Sequence, residues 1–147
     1  MFDNSQNVSW GDYVKISVIG LGYVGVTTAA CLAQDYETNC FDTDSRKINS
    51  IQDGDSLIYE PGLNDLVNKG VQNGKLKIMK TIQDAISNSN VTFICVGTPS
   101  LTDGHIDLNQ VKEASLEVGL SLRSINRYHL VCVRSTMLPG TTINHVI

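Results

Sequence analysis

The sequence is short of the features that mark several large classes of protein. It has no apolar run approaching the roughly 20 residues that a bilayer span needs, and no basic patch with interleaved aromatic residues. Its 15 acidic and 11 basic residues leave a net charge of −4, which argues against binding to a phosphate backbone. We therefore expect neither a membrane nor a nucleic acid among its partners.

Cysteine and histidine are too scattered to form a metal site. The three histidines are far apart and lack partners at ligand spacing, so we assign no metal. None of the four cysteines forms a Cys-x-x-Cys pair, and each lies in an apolar stretch. We expect all four to be buried, reduced packing residues, as suits a reducing cytoplasm. They are Cys31, Cys40, Cys95 and Cys132.

The first thirteen residues are polar and carry two aspartates, unlike a signal peptide. We expect residues 1–13 to be a disordered N-terminal extension. The 134 residues that remain, 14–147, are enough for one domain with a real core, and 41% of the whole sequence is hydrophobic.

What the sequence does have is a glycine fingerprint between a predicted strand and a predicted helix. Lys15–Ile19 is typical of a buried parallel strand, and the small residues of 26–33 can form a helix. Between them, Gly20 allows a tight turn, Gly22 lets the backbone approach a pyrophosphate, and Gly25 lets the helix pack close to the strand. The helix N-terminus would then face the phosphates.

The second part of a dinucleotide site is an acidic residue about 20 positions further on. Asp42 ends a predicted strand at 38–41, 22 residues after Gly20. Its carboxylate would accept the adenosine ribose hydroxyls and repel a 2′-phosphate, which favours NAD over NADP. The nearby Arg46 and Lys47 keep NADP open, and so does the alternative that Asp42 merely caps the next helix.

The rest of the chain alternates helices with strands, which predicts βαβ units and a parallel sheet. We expect an α/β fold of the Rossmann type, a doubly wound parallel sheet with five strands. It would stop one strand short of the six-stranded arrangement, leaving an apolar edge that favours self-association. The remaining strands are expected at 76–79, 91–96 and 130–133, and helices at 45–52, from 61, at 82–87, from 107 and from 139.

Four stretches in order resemble one family. KISVIGLGYVG, YEPGL, FICVGTPS and VRSTMLPGT look like the NAD-binding domain of the UDP-glucose/GDP-mannose 6-dehydrogenases. The resemblance covers 15–147, with the LPGT sequence slightly favouring the GDP-mannose branch. It implies a cytoplasmic, homo-oligomeric enzyme that oxidises a sugar-nucleotide C6 alcohol to a carboxylate with two NAD. A cysteine would capture the intermediate aldehyde.

The resemblance also assigns residues. It places Gly20, Gly22, Tyr23, Val24 and Gly25 on the pyrophosphate, Asp42 and Lys47 on the adenosine ribose, and Thr98 on the cofactor. Thr136 matches a threonine that contacts the cofactor and helps to hold a catalytic water, so it is our one catalytic candidate. Thr136 could instead cap the helix from Pro139, and Glu60 could be purely structural.

The family's catalytic cysteine lies in a Gly-Gly-x-Cys motif, and its sugar-nucleotide site lies in later domains. Neither is in these 147 residues, so we expect the chain alone to be inactive. Two alternatives remain open. One is a single-hydride β-hydroxyacid dehydrogenase, which shares the opening glycine loop but not VRSTMLPGT. The other is a non-catalytic NAD-binding module.

Overall fold

The computed structural model of this protein describes residues 14–146, so the expectation for residues 1–13 lies outside the described part. Five strands and six helices alternate along it. The strands are β1 (Lys15–Ile19), β2 (Glu37–Phe41), β3 (Leu76–Ile78), β4 (Val91–Ile94) and β5 (Leu130–Val133). The helices are α1 (Tyr23–Leu32), α2 (Ser45–Gln52), α3 (Leu63–Gln72), α4 (Ile82–Ser87), α5 (Asn109–Leu122) and α6 (Thr141–His145).

The five strands form one parallel sheet in the order β3-β2-β1-β4-β5. In the register, Ile19 of β1 lies between Phe41 of β2 and Ile94 of β4. The chain leaves β1 towards one edge and returns to its other side at β4, so the order reverses beside β1. Ligands of open α/β sheets bind at such a reversal, outside the carboxyl ends of the strands. The predicted Rossmann-type fold is confirmed.

Helices cover both faces of the sheet because alternate strand residues point to opposite sides. On one face, Val18 packs in a cluster with residues of α1, α2 and α3. On the other, Ile19 and Ile94 pack with Ile86 of α4 and Val118 of α5. The strongly apolar strands are thus buried between two helical layers, as a parallel sheet requires.

A buried polar network lies on the α4–α5 face, near the amino ends of the strands. The hydroxyls of Ser17 and Thr92 are 2.7 Å apart, and Ser89 donates to Ser17 at 3.1 Å. His129 Nε2 lies 2.7 Å from Thr92 Oγ1. These contacts satisfy hydroxyl groups that would be costly to bury alone.

Several boundaries differ from the sequence prediction. β4 ends at Ile94 rather than 96, shortly before Pro99, which cannot donate to a ladder. The last helix begins at Thr141 rather than near Pro139, because Gly140 has a left-handed backbone (φ 89°) that cannot lie inside a helix. Helix α1 begins at Tyr23, three residues early.

One cysteine prediction was wrong. Cys40 and Cys95 are buried and Cys132 is half-buried, but Cys31 is exposed. Cys31 lies on α1, whose sequence YVGVTTAACL is apolar nearly all round. Such a helix shows no amphipathic stripe, so its outward face could not be recognised from the sequence.

Candidate functional site

The turn between β1 and α1 contains two glycines at which any larger residue would force the neighbouring backbone to move. Gly20 donates its N–H to the carbonyl of Phe41 at 2.8 Å, with a φ of 93°. A Cβ there would lie 2.9 Å from the backbone of Cys95. A Cβ at Gly25 would overlap the carbonyl oxygen of Gly20. Both glycines are therefore needed for the close approach of helix to strand.

Gly22 plays a different part, because a Cβ built on it meets nothing within 4 Å. It is the N-cap of α1, which has no side-chain cap and no acidic residue in its first turn. The first two helical residues, Tyr23 and Val24, are 56% and 41% exposed. The helix thus presents uncapped N–H groups and its positive dipole end to open space, an arrangement suited to an anion such as a phosphate.

Asp42, immediately after β2, is brought against this turn. Its Oδ2 accepts the Leu21 N–H at 2.5 Å and the Lys47 ammonium at 3.0 Å. Its Oδ1 accepts the backbone N–H of Asp44 at 2.8 Å. The side chain is only 7% exposed, and the three donors are divided between its two oxygens. Asp42 and Lys47 therefore lie together beside the glycine turn.

Helix α2 is capped by Asp44 and not by Asp42. Asp44 is the N-cap of α2, and its side chain accepts the Arg46 N–H at 2.9 Å. The same carboxylate accepts Arg46 Nε at 3.1 Å and Nη2 at 2.8 Å. These bonds lower the pKa of Asp44 to about 2, chiefly through the side-chain hydrogen bond with Arg46. The alternative that Asp42 is merely a helix cap is not supported.

A cavity of about 180 Å³ is lined in part by Asp44. Its apolar wall includes Leu21, Ile51 and Ile58, and its polar rim includes Arg46 and Lys47. Small-molecule sites also combine an apolar wall with a few polar groups, but they are usually larger, at about 300–1,000 Å³.

A second contact joins the turn to the YEPGL stretch. The phenol of Tyr23 donates a hydrogen bond to the carboxylate of Glu60. That bond and then the charge of Glu60 raise the pKa of Tyr23 above its ordinary value. The neighbouring Tyr59 is 96% exposed. Glu60 is thus in contact with a residue of the glycine turn, which its sequence position alone did not indicate.

The ends of β4 and β5 bring Thr98 and Thr136 to the same edge of the sheet. Ser135 donates to the carbonyl of Val96 at 2.7 Å, which links the two segments. Thr98 is half-buried and Thr136 is exposed. Thr136 does not cap the last helix, whose N-cap is Gly140.

Sequence reasoning missed one residue that organises this edge. Arg134 follows β5 and donates from Nη1 to Thr28 of α1 at 2.7 Å. It therefore connects the end of β5 to the helix behind the glycine turn. The signal was available only as an arginine directly after a predicted strand, in the VRSTMLPGT motif.

Within residues 14–146, no group of three or more His, Cys, Asp or Glu side chains is placed to hold a metal ion. No helix in that range has the length and apolar character needed to cross a membrane.

Sheet order, glycine turn and Asp42 together define a Rossmann-type nucleotide-binding domain. Residues 14–147 match the family described as "UDP-glucose/GDP-mannose dehydrogenase family, NAD binding domain". The chain belongs to this family of dehydrogenases, and corresponds to its NAD-binding domain. The resemblance noted in the sequence is thereby confirmed.

Named relatives agree with this assignment. The chain is 44% identical over 135 residues to GDP-mannose 6-dehydrogenase of Pseudomonas aeruginosa, a match covering 91% of this chain and 31% of the relative. It is 38% identical over 130 residues to UDP-glucose 6-dehydrogenase of Rhizobium meliloti, covering 87% and 29%. The chain therefore spans about a third of the length of these relatives.

Solved structures show the same fold. A ternary complex of GDP-mannose dehydrogenase from Pseudomonas aeruginosa superimposes with a TM-score of 0.88 at 44% identity, covering 90% of this chain and 31% of that one. A UDP-glucose dehydrogenase from Pyrobaculum islandicum gives 0.86 at 36% identity, with coverages of 93% and 32%.

Proposed function

We propose that this chain binds NAD, with the pyrophosphate on the turn formed by Gly20, Gly22 and Gly25 and the adenosine ribose on Asp42. The observation that carries the proposal is the pairing of open space at Gly22 with the nearby Asp42 carboxylate, which is bonded to Leu21 of the same turn. Turn and carboxylate come from different strands, and only the folded sheet brings them together.

The residues present fit a dinucleotide. The open position at Gly22 and the uncapped first turn of α1 can take a pyrophosphate, with Tyr23 and Val24 supplying backbone N–H groups. Asp42 can accept ribose hydroxyls with the part of its carboxylate that its three donors leave free. The cofactor's own contribution would be to accept a hydride.

We further propose that the chain is the NAD-binding part of a sugar-nucleotide 6-dehydrogenase, with GDP-mannose favoured as substrate over UDP-glucose. Support comes from the higher identity to GDP-mannose 6-dehydrogenases and from the LPGT sequence. In this proposal Thr98 contacts the cofactor, and Thr136 contacts it and helps to hold a water. Both follow strands at the carboxyl edge of the sheet. The whole enzyme would be a cytoplasmic homo-oligomer.

Calorimetric titration with NAD and with NADP tests the cofactor proposal. We expect NAD to bind and NADP to bind more weakly. Asp42→Asn keeps an acceptor for the Leu21 N–H but removes the charge, and should weaken NAD binding by about tenfold, since charged hydrogen bonds are the stronger ones. Asp35→Asn, an exposed aspartate after α1, is the matched control and should bind as the wild type does. Equal NAD affinity in both variants would contradict the assignment of Asp42.

Absorbance at 340 nm tests the catalytic part. With NAD and either GDP-mannose or UDP-glucose, the chain should form no NADH, because it contains no Gly-Gly-x-Cys motif. NADH formation by this chain would show that the reaction does not depend on that cysteine.

A further inference from the structure

The segment after β2 carries two carboxylates and two cations arranged as two separate pairs. Lys47 Nζ lies 3.0 Å from Asp42 Oδ2, and Arg46 Nη2 lies 2.8 Å from Asp44 Oδ2. The two cations differ in exposure: the Arg46 side chain is 83% exposed and that of Lys47 is 33% exposed. Each positive group beside the proposed ribose site therefore already has an acidic partner.

The Arg46 pair lies where it can affect a nucleotide. Asp44, Arg46 and Lys47 all line the 180 Å³ cavity, and Leu21 of its apolar wall bonds to Asp42. A ribose held by Asp42 would therefore lie close to these charged groups. In Rossmann domains an arginine near the ribose is what accommodates a 2′-phosphate.

We propose that Asp44 is a specificity-determining residue, which disfavours nucleotides with a 2′-phosphate by holding the Arg46 guanidinium. The inference deepens the proposed NAD binding and rests on it. An arginine fork fits a carboxylate and a phosphate in the same way, so the two compete for Arg46. Asp44 occupies the Nε and Nη2 donors of Arg46, so a phosphate can use that edge only after Asp44 has released it.

The charge state and geometry of the pair support this role. Because the pKa of Asp44 is held near 2, the carboxylate is ionised at neutral pH. Asp44 Oδ1 accepts both the backbone N–H and Nε of Arg46, so one side chain caps α2 and orients the arginine. Asparagine or serine at position 44 would keep the cap while releasing the guanidinium.

The test compares adenosine 5′-monophosphate with adenosine 2′,5′-bisphosphate, alongside NAD and NADP, by calorimetry on the whole chain. In Asp44→Asn we expect affinity for the two 2′-phosphate ligands to rise by about fivefold, the scale of one exposed charge interaction. Affinity for the monophosphate and for NAD should stay unchanged. Adding Arg46→Gln to Asp44→Asn should abolish the gain. Asp44→Ser, which also caps, should reproduce the effect of Asp44→Asn.

Asp53→Asn is the matched control, because Asp53 is the C-cap at the other end of α2 and its removal changes the net charge equally. An equal gain in this control, or a gain that survives Arg46→Gln, would overturn the proposal in favour of a general charge effect. If neither Asp44 variant gains affinity for the 2′-phosphate ligands while NAD still binds, the role of Asp44 is overturned and the proposal of NAD binding is unaffected. If the wild-type chain binds no NAD at all, both proposals fall.

Discussion

Gly25 of α1 lies directly against the carbonyl oxygen of Gly20, so that a single added carbon on Gly25 would overlap that oxygen. By contrast, a Cβ on Gly22 would point into open space. The three glycines of this motif therefore have different structural roles. Gly20 and Gly25 allow helix and strand to approach, and Gly22 keeps a surface clear.

Alanine substitutions separate these roles. Gly25→Ala should destabilise the fold by about 1–3 kcal/mol or more, as overpacking does. Gly22 has a backbone conformation that alanine can also adopt (φ −72°). Gly22→Ala should therefore lower the free energy of unfolding by no more than about 1 kcal/mol, the scale of an N-cap change. It should nevertheless weaken NAD binding, since its methyl would stand where the pyrophosphate is proposed to lie. Thermal melting by circular dichroism and NAD titration measure the two effects; similar melting losses in both variants would contradict the distinction.

The Tyr23–Glu60 contact predicts a shifted phenol titration. Because Glu60 accepts a hydrogen bond from the phenol and carries a negative charge, the pKa of Tyr23 lies above its ordinary value of 10.0. The contact's contribution to stability is present below pH 10 and is lost as the pH rises through the folded-state pKa. In Glu60→Gln the Tyr23 titration should move down towards its ordinary value. The measurement is the absorbance at 295 nm against pH, with Tyr23→Phe subtracted to isolate this tyrosine; an unmoved titration would count against the contact.

His129 predicts a loss of stability on acidification. Burial, and then the charge of Arg127, lower the pKa of His129 below 6.5. The unfolded chain therefore binds a proton at His129 more readily than the folded chain does. The free energy of unfolding is highest above the pKa of His129 in the unfolded chain, and it falls as the pH drops towards the pKa in the folded chain.

Urea unfolding between pH 5 and 8 measures this dependence. We expect His129→Gln to make the free energy of unfolding less dependent on pH in that range. Identical slopes for the wild type and the His129 variant would show that His129 does not titrate differently on folding.

The cysteines should differ in reactivity. Cys31 is exposed, whereas burial raises the pKa of Cys95 to about 11 and that of Cys40 further. Only a thiolate attacks an alkylating reagent, so Cys31 should react first and the two buried thiols only on unfolding. Peptide mass spectrometry after timed iodoacetamide treatment locates the label, and Cys31→Ser should remove the fast phase. Early labelling of Cys40 would contradict the buried position.

The succession of elements was predictable because it depends on local pattern. The apolar strands and the helices between them occur in the order that the sequence indicated. Element ends were less accurate, as at β4 and α6, because they depend on the backbone of individual glycines and prolines. The outward position of Cys31 could not be predicted, since α1 is apolar nearly all round.

The sequence by itself determined the strand–glycine–helix turn, because the three glycines have backbone requirements that hold wherever the turn lies. It also determined that an aspartate would end β2. The tertiary structure alone decided which groups meet: Tyr23 with Glu60, 37 positions apart, and Arg134 with Thr28, 106 apart. It also decided that Lys47 pairs with Asp42 and Arg46 with Asp44. Neighbouring charges in a sequence can pair in several ways, and only the folded backbone fixes the distances that select one.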